Sequence, residues 1–176
     1  MGLGLNSKKT EVITYNISGH RPLETVKGDE LKEVENFKYL GSWVASTEAD
    51  IKIRKALAWK ALNDMNKIWK SEMSREAKID FFTATVETVL LYGCDAWTLT
   101  PVLEKSLNGT YTRMLKAVLN IRWPQKITNS ALYGDLPTIG NTIAAKRMQL
   151  AGHCHRHPEL AASELILWEP SHGRRS

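Results

Sequence analysis

The sequence predicts an α+β fold that is mostly α-helical, in which a short β segment of two or three strands precedes a bundle of about four helices. In residues 1–46, short β-prone runs alternate with turn-forming residues, whereas apolar residues recur at helical spacing from Thr47 onward. The composition, with 43% hydrophobic and 24% charged residues over 176 positions, is typical of a globular protein. The strands are therefore expected before the helices.

The predicted strands lie in three β-prone runs, residues 9–17, 23–26 and 34–44. Turn-forming residues separate them at 18–20 and 28–29. A sheet this small is marginal on its own, so we expect a helix or another domain to cover one of its faces.

The first predicted helix begins with Ser46 or Thr47 as its cap and continues to about Trp69. Its apolar residues fill one arc of the helix surface. They are Ile51, Leu57, Ala58, Ala61, Leu62, Met65, Ile68 and Trp69. The opposite arc is basic, with Lys52, Lys55, Lys60, Lys67 and Lys70. Arg54 lies inside the apolar arc, so it must snorkel, pair or reach a ligand, because an unpaired buried guanidinium is very costly.

Three further helices follow. The second covers about residues 74–91, is apolar nearly all round, and ends at Tyr92-Gly93. The third begins at Thr100-Pro101, because proline suits the first helical position. Its outer face carries Lys105, Arg113 and Lys116. After a break at Trp123-Pro124, the fourth spans about 138–153 and aligns Ile139, Ile143 and Leu150.

The positive charge is concentrated in the helical part. The chain carries 24 Lys and Arg against 19 Asp and Glu, a net charge of +5, whereas residues 1–46 hold six of each sign. Residues 101–127 carry five basic side chains and one acid, a local charge of +4. Together with six tryptophans, this pattern favours nucleic acid as a partner, although Trp69 is expected in the core and exposed lysines often only solvate a helix.

No familiar catalytic motif is present in the sequence. It has no Gly-x-Ser-x-Gly, no phosphate-binding Gly-Lys-Ser or Gly-Lys-Thr, and no Asp-Asp pair. The weak candidates for a metal site are His153, Cys154, His155 and His157, whose close spacing on a helix points them in different directions. We therefore expect neither a metal nor a cofactor in this chain.

The expected cellular location depends on whether the sequence contains a membrane span or a secretory leader. The sequence has no run of about 18 apolar residues and no secretory leader, so we expect no membrane span and an intracellular protein, cytoplasmic or nuclear. The cysteines, Cys94 and Cys154, are expected to be reduced thiols.

Five segments of the sequence form a recognisable series. In chain order, they are Asn6-Ser7-Lys8-Lys9-Thr10, Phe37-Lys38-Tyr39-Leu40-Gly41, Leu91-Tyr92-Gly93-Cys94-Asp95-Ala96-Trp97, Ile127-Thr128-Asn129 and Gly152-His153. Together they resemble the C-terminal part of non-LTR, LINE-type retrotransposon reverse transcriptases, RTE-like ones most of all. Arg54 with Ala58 also resembles a helix of that family, and the resemblance covers essentially the whole chain.

The resemblance implies a domain organisation. Residues 1–46 would be the end of a polymerase palm, 47–122 a helical thumb-like domain, and 123–176 a C-terminal helical region with a basic tail. Lys9 would lie near the incoming nucleotide. Phe37, Lys38, Tyr39, Leu40 and Gly41 would form the turn that supports the primer. The lysine-rich first helix would hold the template and primer.

The resemblance also limits the expected activity. In that family two magnesium ions are held by paired aspartates, which would precede residue 1 together with the fingers and most of the palm. We therefore expect a non-catalytic region that binds RNA or an RNA/DNA duplex through its basic helix faces. The residues expected to contact the nucleic acid are Lys9, Lys38, Lys52, Arg54, Lys55, Lys60, Lys67, Lys105, Arg113 and Lys116. The alternatives are a helical protein-interaction module, or a decayed retroelement relic that binds no nucleic acid. A third alternative is an intact small enzyme.

Overall fold

The computed structural model describes most of the helical region and parts of the β segment. The described residues are 6, 9–14, 23–25, 28–35, 38–39, 42–43 and 46–159. The chain divides into two compact units, Met1–Arg54 and Lys55–Ser176. The division into three segments at residues 46 and 122 stays a prediction.

Two short pairs of strands form the β part of the first unit. β1 (Glu11–Val12) and β2 (Lys32–Glu33) are parallel, with Glu11 opposite Lys32, and the Lys32 ammonium lies 2.7 Å from the Glu11 carboxylate. β3 (Lys38–Tyr39) and β4 (Ser42–Trp43) are antiparallel. The β-prone run 34–44 therefore contains two paired strands rather than one. The expectation of an α+β fold that is mostly helical is confirmed.

Helix α1 (Thr47–Asp64) begins where the sequence predicts. The Ser46 hydroxyl accepts a hydrogen bond from the Ala49 amide at 3.3 Å, which satisfies an amide that has no partner within the helix. Ile51, Ala58 and Leu62 are buried, as expected from the apolar arc. The prediction for Leu57 is wrong: it lies at the edge of that arc and is 42% exposed.

The first predicted helix is divided at Met65. This residue has φ −95° and ψ 16°, outside the α-helical range, and a four-residue helix, α2 (Asn66–Trp69), follows it. The prediction of one unbroken helix to Trp69 is therefore wrong, although Trp69 is 2% exposed and belongs to the core as expected. The apolar spacing continues across the break, which is why the sequence pattern does not reveal it.

The second predicted helix is a continuous helical rod of three pieces. They are α3 (Arg75–Phe82), a π-helical segment (Thr83–Glu87) and α4 (Thr88–Leu90). The Ser74 hydroxyl caps its start by accepting from the Ala77 amide at 3.2 Å. After the rod, Gly93 has φ +74°, a left-handed conformation that suits glycine and ends the helical run where the sequence predicts.

Helix α5 (Pro101–Val118) is central to the second unit and contacts the rod. The Thr100 hydroxyl accepts from the Leu103 amide at 3.3 Å, so the predicted start is confirmed. The rings of Phe82 and Tyr111 lie 5.4 Å apart between the rod and α5. The side chains buried along α5 are Leu107, Thr110, Tyr111, Met114, Leu115 and Val118.

Two helices that follow α5 in the chain pack against it. The short α6 (Asn129–Tyr133) was not predicted, and α7 (Ile139–Arg156) is the predicted fourth helix with a longer C-terminal end. Ile143 is buried, whereas Leu150, which the sequence pattern aligns with it, is 38% exposed. Within the described part of the chain, no helix has the length and apolar character needed to cross a membrane.

Candidate nucleic-acid interface

The two basic faces predicted on separate helices meet at Lys55. Its ammonium donates a hydrogen bond to the Ser106 hydroxyl of α5 at 2.6 Å. Burial lowers the pKa of Lys55, and the nearby Arg113 guanidinium lowers it further, because neighbouring positive charges disfavour each other's protonated forms. Lys55 of α1 thus adjoins the cationic face of α5.

A groove of about 340 Å³ lies beside this junction. One wall comes from the end of α1 and α2, and the other from the end of α5 and the turn after it. Of the residues that line this groove, three are cationic, Arg113, Lys116 and Arg122, and none is acidic. The other lining residues are Trp59, Leu62, Asn63, Asn66, Trp69, Ala117, Asn120 and Ile121. We call this feature the basic groove.

The buried Trp69 indole forms the floor of the basic groove and fixes the break between α1 and α2. Its Nε1 donates to the carbonyl oxygen of Leu62 at 2.8 Å, in the last turn of α1. Carbonyl groups in the last turn of a helix have no backbone amide partner within that helix. The indole therefore satisfies the Leu62 carbonyl, which the break at Met65 would otherwise leave without a hydrogen bond. The ring also packs edge-on against Phe81 at 5.5 Å.

The far wall is fixed at the C-terminal end of α5. Asn120 adopts φ +55°, and the Ile121 amide donates to the Lys116 carbonyl at 2.9 Å. This is the hydrogen-bond pattern by which a left-handed residue terminates a helix. The Asn120 side chain also donates to the Trp69 carbonyl at 2.6 Å, so both walls are joined at the floor.

Arg113 is held along its own helix. Its Nε donates to the Gly109 carbonyl one turn earlier, at 3.2 Å. The guanidinium presents a planar fork of donors suited to phosphate oxygens. A preset orientation reduces the side-chain entropy lost when an anion binds.

Sequence reasoning missed Trp59 as part of this surface. It follows Lys55 by four residues, so it lies within about 40° of that lysine around α1, on the basic arc rather than the apolar one. It is half-buried and lines the basic groove. An aromatic ring among lysines on a helix wheel was the signal available for finding it.

The remaining predicted basic residues lie outside the groove lining. Lys9, Lys52, Lys67 and Lys105 are exposed. Lys60 bonds the Asp64 carboxylate at 2.8 Å, and this hydrogen bond raises its pKa. A carboxylate this close offsets the charge that Lys60 offers to a phosphate.

Arg54 lies beside an acidic residue, Asp50, so pairing is the outcome observed among the three that the sequence leaves open. It is 7% exposed, and its Nε lies 3.6 Å from Oδ1 of Asp50, itself 1% exposed. The guanidinium is therefore covered, and we leave Arg54 out of the proposed interface.

The predicted primer-supporting turn falls largely outside the described residues. Phe37, Leu40 and Gly41 lie outside them. Lys38 and Tyr39 are described only as β3, where Tyr39 pairs with Ser42. Their predicted role stays a prediction.

The weak metal candidates are not assembled around one point. Cys154 is 1% exposed, whereas His153, His155 and His157 are exposed, with the rings of His153 and His157 4.7 Å apart. In the described part of the chain, no three His, Cys, Asp or Glu side chains are grouped as metal ligands.

The thiols are free and buried, in line with the reduced state predicted for them. Burial and the nearby Asp95 raise the pKa of Cys94 to about 11, so the thiol is protonated at neutral pH. A protonated buried thiol is a poor nucleophile, which gives Cys94 a structural place rather than a chemical one.

No protein-family model, curated protein or solved structure matches the chain. The resemblance to LINE-type reverse transcriptases is therefore part of a proposal.

Proposed function

We propose that the basic groove binds the phosphate backbone of RNA or of an RNA/DNA duplex, within a thumb-like region of a LINE-type reverse transcriptase. The observation that carries the proposal is the convergence of Arg113, Lys116 and Arg122 on a groove with no acidic residue in its lining. Clustered cations of this kind attract a polyanion and gain free energy when it releases its condensed counterions.

Two further features support a polyanionic ligand. Burial lowers the pKa of Lys55, and the nearby Arg113 guanidinium lowers it further; bound phosphates would relieve the repulsion between these two cations. The amide side chains of Asn63, Asn66 and Asn120 add polar groups to the lining beside the cations. Amide groups form hydrogen bonds to phosphate and sugar oxygens, which are the same at every nucleotide, so we expect binding that tolerates different RNA sequences.

The experiment is a titration of labelled single-stranded RNA and of an RNA/DNA hybrid, followed by fluorescence anisotropy at several salt concentrations. The test variant is Arg113→Glu with Lys116→Glu. We expect affinity to fall at least about tenfold, and the slope of log affinity against log salt to fall by about one for each phosphate that the variant no longer neutralises. The two partners are titrated separately, so their order of preference is measured directly.

The matched control is Lys105→Glu, which reverses a charge on the same helix outside the groove lining. We expect it to change affinity far less than a reversal inside the groove. Equal loss in both would show that binding depends on overall charge and would contradict the groove. Binding that is absent, or insensitive to salt and to both variants, would favour the protein-interaction alternative.

A further inference from the structure

Trp123 is 95% exposed and follows Arg122, which lines the basic groove. Among the described tryptophans whose exposure is defined, Trp69 and Trp97 are buried and Trp59 is half-buried. A tryptophan ring presents a large apolar face that is costly to leave in water and is worth most at a binding contact. Trp123 therefore offers a free aromatic face that the fold itself does not use.

Trp123 directly follows a cationic residue of the groove in the chain. The Gln125 amide donates to the Arg122 carbonyl at 2.8 Å, which closes a tight turn with Trp123 and Pro124 at its centre. Arg122 lines the groove, and the turn starts two residues after Asn120, where α5 is terminated and tied to Trp69. Trp123 is thus held in an anchored segment, directly after a residue that lines the groove.

The charge around Trp123 suits nucleic acid. Residues 119–128 contain the cations Arg122 and Lys126 and no acidic residue. An aromatic ring flanked by cations is the arrangement by which proteins hold single-stranded nucleic acids, because the ring stacks on a base while the cations bind the backbone. Stacking needs no particular base, which agrees with sequence-tolerant binding.

We propose that Trp123 stacks on an unpaired base of RNA whose backbone lies in the basic groove. This inference rests on the proposed function and narrows its ligand to RNA that offers unpaired nucleotides. Bases inside a duplex already stack on each other and offer no free face to the ring. Trp123 thereby makes the interface prefer single-stranded RNA over a blunt duplex of equal length.

The test compares three probes: an oligouridylate, the same backbone with abasic sites in place of the bases, and a blunt RNA/DNA hybrid. We expect Trp123→Ala to weaken oligouridylate binding roughly 5- to 150-fold and to leave the other two unchanged. Trp123→Phe keeps a ring and retains most of the affinity. Tyr92→Ala removes an exposed aromatic that does not line the groove, and it is expected to change nothing.

Each outcome decides between the two proposals. If the groove reversal at Arg113 and Lys116 abolishes binding while Trp123→Ala has no effect, the stacking contact is excluded and the groove stands. Equal losses on abasic and base-bearing probes also exclude stacking. If the wild-type chain binds none of the probes, both proposals fall. Because Trp123 is exposed, its variants are expected to keep the wild-type circular dichroism spectrum.

Discussion

The side chain of Asn120 donates a hydrogen bond to the backbone carbonyl of Trp69 at 2.6 Å, across 51 positions of sequence. One residue thus terminates α5 in the left-handed conformation and joins that end to the end of α2. The basic groove owes its shape to this junction, because its two walls belong to elements far apart in the chain. The contribution of this junction can be measured as a change in the free energy of unfolding.

Substitution of Asn120 should separate the hydrogen bond from the backbone conformation. Asn120→Gly keeps a residue suited to φ +55° and loses only the side-chain bond, so we expect a loss of about 1 kcal/mol. Asn120→Ala also loses the polar side chain that lets asparagine tolerate the left-handed region, so we expect it to be about 1–2 kcal/mol less stable than Asn120→Gly. Urea unfolding measures both. Equal losses in the two variants would contradict the conformational part of this account.

We expect the buried ion pair between Arg54 and Asp50 to stabilise the fold rather than to bind a ligand. Arg54→Met leaves the Asp50 carboxylate buried without this partner, and we expect a loss of about 3–5 kcal/mol in unfolding free energy. The double variant Asp50→Asn with Arg54→Met removes both charges and should recover much of it. RNA affinity of the double variant is the discriminating measurement. A stable double variant that has lost RNA binding would return Arg54 to the interface, as the sequence first predicted.

Local signals in the sequence were sufficient for most helix starts. Ser46, Ser74, Thr100 and Thr138 each stand at the predicted start of a helix, and each side chain accepts an amide hydrogen bond there. Thr128 caps α6 in the same way. That helix has only five residues, too few for an apolar period to be recognised, so it was missed.

The site was less predictable than the helices, because it depends on how the helices pack. Periodicity assigned Lys55 to one basic face and Arg113 to another, and it contains no information on whether two faces adjoin. The bond between Lys55 and Ser106 is a tertiary contact over 51 positions. The exposure of Leu57 and Leu150 has the same origin, since an apolar position is buried only where a neighbouring element covers it.

Glu87 should make stability depend on pH in a defined direction. Burial raises the pKa of this carboxyl above its ordinary 4.5, although the Tyr111 hydroxyl donates to it at 2.6 Å and opposes the shift. The folded chain therefore holds the proton to higher pH than the unfolded chain does. The contribution of Glu87 to stability is fully present below pH 4.5 and is lost as pH rises through the folded-state pKa.

Two variants test this direction by urea unfolding from pH 4 to 7.5. Glu87→Gln keeps an acceptor for Tyr111 but cannot ionise, so its stability relative to wild type should improve as the pH rises. Tyr111→Phe removes the donor and should cost about 1.5–3 kcal/mol at pH 7, where the buried carboxylate needs that bond most, and less at pH 4. Differences from wild type that stay constant with pH in both variants would show that Glu87 has the same proton affinity in the folded and unfolded chains.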